Sequence, residues 1–331
     1  YYKQCIGKVH FDNDPMVGYL IERAYQQASG AFAMNSYNQI LGSNWGTYPV
    51  TPHIWNKDMY YSSLPYTMTE PDLCKKTIKW FAQYGIKYPG TKFEGGIFHS
   101  LSNSLSVILL SGAYYDYFGD HHFFLDNEGL YKQMKEILNK VITSRNPGEP
   151  HLYHSIWISD AYSLGTYHTG SNICVYRACR SLSRLALEIF DEKEYAIELE
   201  NEAQAIKNDI EKYMTVETNG HRIFLEGIAS LDLDAKEHMS DECYRKEMLD
   251  QGLQFLTDVN HDGTITLRMH DGEESDTTLL NYYGYEAGDR TTHYGQFSSS
   301  DENPTYSCLS RGIKWGNQSG ATFPGYISIL N

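Results

Sequence analysis

A single carboxylate and a carboxylate cluster stand among residues suited to gripping a polar ligand. The first is Asp160, in HSIWISDAYSLGTYHTGSN, with Trp157, Tyr162, Tyr167, His168, Ser171 and Asn172 around it. A carboxyl crowded by Trp157, Ile158 and Tyr162 has its charged form disfavoured. That raises its pKa, as a general acid requires. The plainer reading makes Asp160 a helix N-cap that holds backbone N–H groups. The cluster packs His270, Asp271, Glu273, Glu274 and Asp276 into MHDGEESDTT. Such crowding marks a solvated loop, a cation site, or a place where a carboxylate activates water. Ser275 or Asp276 is expected to cap a helix there, leaving Glu273 and Glu274 free just ahead of it.

Three further stretches offer ligand-binding groups. HIWNKDMYY carries Trp55, Asn56, Lys57 and Asp58, a stacking platform beside an acceptor for hydroxyls. GGIFHSLSNSL carries His99, Ser100 and Asn103; His99 reads equally as a pocket-edge ligand and as a satisfied structural histidine. The last stretch offers Asp301, Glu302, Asn303, Tyr306, Arg311, Lys314 and Trp315. Asp258, Asn260 and Asp262 fit the first half of a calcium loop, but Met269 stands where the bidentate Glu belongs. A polar turn opening a short hairpin is favoured there over calcium.

The elements that position these groups are mostly helical. Phe11 to Ser36 contains a helix with apolar Val17, Leu20, Ile21, Ala24 and Tyr25 on one face. A binding loop, GSNWGTYPVTPHIWNKDMYYSSLPY, follows. The next helix is expected to be capped by Thr69, with Pro71 in its first turn and Gly85 as its stop. YPGTKFEGGIFHSLSNS reads as a second loop, leading into the apolar helix LSVILLSGAYYDYFG. Further helices are expected over 126–144, from the end of the Asp160 loop to Ile189, over 192–214, over 241–256, and over TLLNYYGYEAG. GHRIFLEGI reads as a short strand or an extended arm. Long polar-aromatic loops alternate with plain turns, so the pattern predicts helical hairpins with their functional loops at one end. No strict repeat is present, which favours a closed ring over an open array.

Composition narrows the partners. The chain has 331 residues, is 41% hydrophobic and carries a formal charge of −15. Nucleic acid and anionic membranes are disfavoured by that charge, and no apolar run is long enough to span a bilayer. The 28 Tyr suit both a core with polar edges and stacking on sugar rings. Cys5, Cys74, Cys174, Cys179, Cys243 and Cys308 form no CxxC pair and read mostly as buried thiols, with a disulfide or two left open. No Gly-rich phosphate loop, GxSxG elbow or HExxH is present. The abrupt opening YYKQC leaves the compartment open, with export slightly favoured over the cytoplasm.

Taken together, these segments resemble the six-hairpin (α/α) toroid glycosidases, which include glucoamylases, trehalases and glucosidase-I-like enzymes. HIWNKDMYY is similar to the glucoamylase Trp-x-Arg-Asp-aromatic segment that holds the terminal sugar; Trp55 and Asp58 match, and Lys57 replaces Arg. SIWISDAYSLGTYHTGSNICVYRACRSLSRLA is similar to the segment bearing the general acid, in the Asp style of trehalases. SDTTLLNYYGYEAGDRTTHY resembles a Leu-rich helix ending in a Gly-aromatic turn and the acidic-Arg pair Asp289-Arg290. GIKWGNQSGATFPGY resembles the closing segment before the last inner helix.

The resemblance implies an all-α (α/α)6 toroid, a single catalytic domain over 1–331, expected to be a piece of a longer protein. It implies hydrolysis of a terminal, α-linked sugar by inversion, with Asp160 as acid and Glu274 as base. Glu273, Asp301 and Glu302 are alternates for the base. Trp55, Asp58, His99, Trp157, Tyr167, His168, Asn172 and Glu273 would bind the sugar, and no organic cofactor is implied. A phosphorylase of the same fold would need a basic group or Ser near the acid to hold phosphate. A non-catalytic carbohydrate-binding toroid would keep the aromatic platform without needing Asp160.

Overall fold

The structure is a computed structural model. It describes residues 15–30, 32–43, 56–82, 101–154, 167–218, 221–224, 227–228, 257–259, 265–267, 280 and 283–285. Trp55, His99, Trp157, Asp160, Asn260, Asp262, Glu273, Glu274, Asp301 and Glu302 lie outside them, as do the helix expected over 241–256 and the closing segment.

The described residues are mainly helical. Helix α1 (Pro15–Gly30) leads to a hairpin of β1 (Phe32–Met34) and β2 (Ile40–Ser43), which the sequence signals did not predict. Asn35 makes the turn: its Oδ1 accepts from the N–H groups of Tyr37 and Gln39. Next come α2 (Asn56–Ser63), a 3₁₀ turn (Leu64–Met68) and α3 (Pro71–Trp80). The sequence reading had placed α2 inside a loop. Pro71 opens α3 as expected, but the cap position is Glu70, not Thr69, and no side chain caps it. Helix α4 (Leu101–Phe118) begins four residues earlier than expected and ends at Gly119, whose φ of +56° is the left-handed form that glycine adopts at low cost.

Beyond it lie α5 (His121–Leu125), α6 (Glu128–Ile142), β3 (Tyr167–His168), α7 (Thr169–Glu188) and α8 (Lys193–Tyr213). Strand β4 (Thr215–Thr218) pairs with β5 (His221–Phe224), and β6 (Gly227–Ile228) pairs with β3. The hairpin expected near Asp258 is present as β7 (Thr257–Val259) and β8 (Ile265–Leu267). Instead of running on as helix, 283–285 form a turn: Gly284 has φ +68° and the Tyr285 N–H donates to the Leu280 carbonyl. That bond is the one that closes a helix end.

The helices form three hairpins, α2 with α3, α4 with α6 and α7 with α8. In each, the first helix is buried and the second is amphipathic. Every residue from Leu101 to Tyr115 is buried, and α7 is buried through Asn172, Ile173, Cys174 and Val175 down to Ala186. By contrast α8 buries only Ala196, Leu199, Ala203, Ile206 and Ile210, a three-to-four spacing that lays one stripe on α7. The buried helices stand in the row α2, α4, α7. Each fully buried aliphatic side chain here contributes about 1.5–3 kcal/mol.

Short connections tie each buried helix to its amphipathic partner. Between α4 and α6, Asp120 caps α5: its Oδ1 accepts from Phe123 N–H at 3.0 Å and its Oδ2 from the Tyr114 hydroxyl at 2.6 Å. The Tyr114 bond holds the Asp120 carboxyl below the usual carboxylate range, against partial burial and with help from Phe123 N–H and Lys75. A lowered folded pKa gives stability that is full above the unfolded value, about 3.9, and lost as pH falls through the folded one. Asp120→Ala is therefore expected to cost about 1 kcal/mol at pH 7. The gap in melting temperature between wild type and variant should hold from pH 7 to 5 and close in stronger acid.

Cys74, Cys174 and Cys179 are free thiols sealed in this core. Burial pushes Cys74 and Cys174 up to about 12, and raises Cys179 well above its usual value. At neutral pH all three are protonated and shielded. A colorimetric thiol reagent should label at most three of the six cysteines in the native protein. Labelling of any of these three would contradict the packing.

Candidate functional site

The three buried helices begin at one end: the first turns of α2 and α4 meet, and Gly112 of α4 faces Ser181 of α7 at a like distance from each helix start. Side chains at that end cross-link the helix starts. Asn103, in the first turn of α4, accepts the Lys57 backbone N–H on Oδ1 at 2.8 Å. Asn56 Nδ2 donates back to the Asn103 carbonyl at 3.2 Å. The first turn of α2 is thus capped from another helix, satisfying a donor that its own sequence leaves open. The Asn103 Oδ1, in a stretch read in the sequence as loop, makes this cap.

Lys57 is fully buried, with the Tyr61 ring 5.6 Å from its Nζ. Burial raises the Cys174 thiol, and the Lys57 charge and a hydrogen bond between Cys174 and Tyr283 draw it partly back down. Asp58 follows Lys57 as the third residue of α2. Tyr60 and Tyr283 share a hydroxyl–hydroxyl bond of 2.9 Å, and Tyr176 donates to the Gly284 carbonyl at 3.1 Å. Tyr283 and Gly284, which follow the Glu273–Glu274 cluster in sequence, are thereby held against α2 and α7.

At the start of α7, His168 is the N-cap. Its Nδ1 accepts the Ser171 N–H at 3.0 Å, which leaves the ring proton on Nε2 in the neutral form. Asn172 is fully buried and makes three hydrogen bonds to the main chain. The Tyr167 ring is nearly covered and meets His154 edge-on at 4.6 Å. Of the residues expected to bind sugar, the structure thus gathers Asp58, Tyr167, His168 and Asn172 at the end where α2 and α7 begin. What the sequence reading missed is the buried Lys57 and the cap from Asn103. Both depend on contacts between helices far apart in the chain.

A cleft of about 470 Å³ lies at the other end of α4, lined by Lys75, Tyr114, Phe118, Asp120 and His122 among others. At 1.5 Å per residue, the length of α4 separates it from Asn103 by roughly 20 Å. Its charged groups are already engaged, Asp120 by Tyr114 and Lys75 by Asp72 at 3.1 Å. It is the socket of the α5 cap. Among the described residues, no group of three or more His, Cys, Asp or Glu side chains is placed to hold a metal ion, and no helix is long and apolar enough to cross a membrane.

No family model and no curated protein matches the sequence. Among solved structures the fold is similar to that of a GH78-family rhamnosidase of Bacillus sp. GL1. The TM-score is 0.52 and the identity 11%, over 92% of this chain and 29% of that one. The chain therefore spans about three tenths of the length of the structure it matches. At this identity the likeness is one of fold: the mainly helical architecture is one that a glycoside hydrolase also uses.

Proposed function

We propose that this chain is a glycoside hydrolase domain, a closed toroid of helical hairpins that releases a terminal, α-linked sugar by inversion. The observation that supports it most is the shared end of α2, α4 and α7. Three segments named from the sequence lead into those helix starts: Trp55 into α2, His99 into α4, and Trp157 with Asp160 into α7. The three hairpins described would be half of a six-hairpin ring.

In this reading Asp160 protonates the leaving oxygen. Glu274 activates water across the ring, with Glu273 as its neighbour in the subsite. The two carboxyls then stand about 6.5–9.5 Å apart, leaving room for the water. Trp55, Asp58, His99 and Trp157 hold the sugar, with Tyr167, His168 and Asn172 behind them. The second reading is a phosphorylase of the same fold, in which bound phosphate replaces the base.

The test is sugar release from a panel of aryl glycosides and short oligosaccharides, with and without inorganic phosphate, and the anomer read by NMR. Release without phosphate, of the inverted anomer, and lost in Glu274→Gln supports the hydrolase. Release that requires phosphate moves the protein to the phosphorylase. Sugar binding with no release from the native protein overturns both in favour of a binding toroid.

A further inference from the structure

His154 and Tyr167 are the described residues on either side of 155–166, the segment that contains Trp157 and Asp160. Their rings meet edge-on. One residue further out on each side, a single side chain joins the two strands of chain. The Tyr153 N–H donates to Asn172 Oδ1 at 2.7 Å, and Asn172 Nδ2 donates to the Tyr153 carbonyl at 3.1 Å and to the His168 carbonyl at 2.9 Å. Both Asn172 donors are used, and its acceptor is taken. All three residues are buried, so these bonds compete with little water.

The rest of the stem is held to the same frame. The Tyr153 hydroxyl donates to Glu202 on α8, and His151 Nδ1 bonds that same carboxylate at 2.8 Å. His168 is fixed as the cap of α7 and, through β3, against β6. Asparagine fits the central position because its amide offers the donors and the acceptor of a backbone peptide. Aspartate keeps the acceptor and loses both donors; leucine has neither.

We infer that Asn172 is a positioning residue. Its amide ties Tyr153 to His168 and so fixes the spacing of the two described stretches that flank segment 155–166, which carries Trp157 and Asp160. The consequence for catalysis rests on the proposed role of Asp160; the clasp itself does not. The experiment is hydrogen–deuterium exchange of the whole chain, wild type against Asn172→Ala and Asn172→Asp. Amides over 151–168 are expected to exchange about tenfold faster or more in both variants, from the loss of buried hydrogen bonds, with α4 and α8 unchanged.

Unchanged exchange over 151–168 overturns the inference. So does an equal rise across all helices, which would make Asn172 an ordinary core residue. Should neither variant fold, the wild-type protein still decides. Its Tyr153 amide must be among the slow exchangers, and a rate like that of an exposed amide refutes the clasp. Exchange reads no chemistry, so a protein that shows the clasp and releases no sugar loses the hydrolase reading alone. If sugar is released, the alkaline limb of the pH–rate profile, set by the acid, shifts in the variants. A merely structural loss lowers the profile without moving it.

Discussion

Asp160→Asn is expected to slow release of an unactivated sugar by about 10²–10⁴-fold, the usual worth of a positioned general acid. Asparagine keeps the size and hydrogen-bonding reach of the carboxyl but cannot deliver a proton to the leaving oxygen. The loss should therefore depend on the leaving group. A nitrophenolate departs without protonation, so the variant should retain most of its rate on a nitrophenyl glycoside. Loss of the base gives the opposite pattern. Glu274→Gln should be slow on both substrates, because attack by water limits each. Equal losses of Asp160→Asn on both substrates would remove Asp160 from the acid role. A loss of less than about threefold on the unactivated sugar would do the same. A full-rate Glu274→Gln beside an inactive Glu273→Gln would hand the base to Glu273.

Gly112→Ala is expected to destabilise the fold by overpacking the core. Gly112 stands where α4 crosses α7. A Cβ built on it lies 2.2 Å from Ser181 Oγ and 2.4 Å from Ser181 Cβ. Turning the serine about χ1 moves its Oγ but leaves its Cβ in place, so the two helices must part. Overpacking of this kind costs typically about 1–3 kcal/mol, offset by up to about 1 kcal/mol from the better helix propensity of alanine. A net loss of about 1–2 kcal/mol in urea unfolding is expected, with the m-value unchanged.

The compensating variant is Ser181→Gly. It leaves the added methyl facing the Ser181 Cα position at 3.4 Å, an ordinary contact. The double variant should recover part of the loss, and the cycle should show coupling above about 0.5 kcal/mol. A neutral or stabilising Gly112→Ala would mean that the helices are not this close. The crossing matters for the site because it sets the spacing of α4 and α7. Asn103 and Asn172 sit on the first turns of those two helices.

Some elements were legible because their signals are local. The helix expected over 192–214 stands as α8 (Lys193–Tyr213), with an apolar stripe from Ala196 to Ile210. The same holds for α6, for most of α7, and for the strand His221–Phe224 in GHRIFLEGI. Pro71 at the head of α3 and Gly119 at the foot of α4 act through their own backbone preferences, which need no partner. The site was legible only as a set of residue types. Polar and aromatic groups that bind sugars are also the groups that fasten loops, and spacing along the chain does not separate the two uses.

The sequence by itself therefore determined a mainly helical chain of amphipathic and buried segments joined alternately by long and short connections. Periodicity and turn chemistry are carried by neighbouring residues. Only the tertiary structure decided that Asn56–Ser63 is helix, since Asn103, far along the chain, supplies a cap for its first turn. It alone placed Lys57 inside the core and turned Asn172 onto the main chain of Tyr153 and His168. Each of these depends on a partner brought near by packing. A buried polar group goes to whichever partner satisfies it, and only the assembled helices determine which that is.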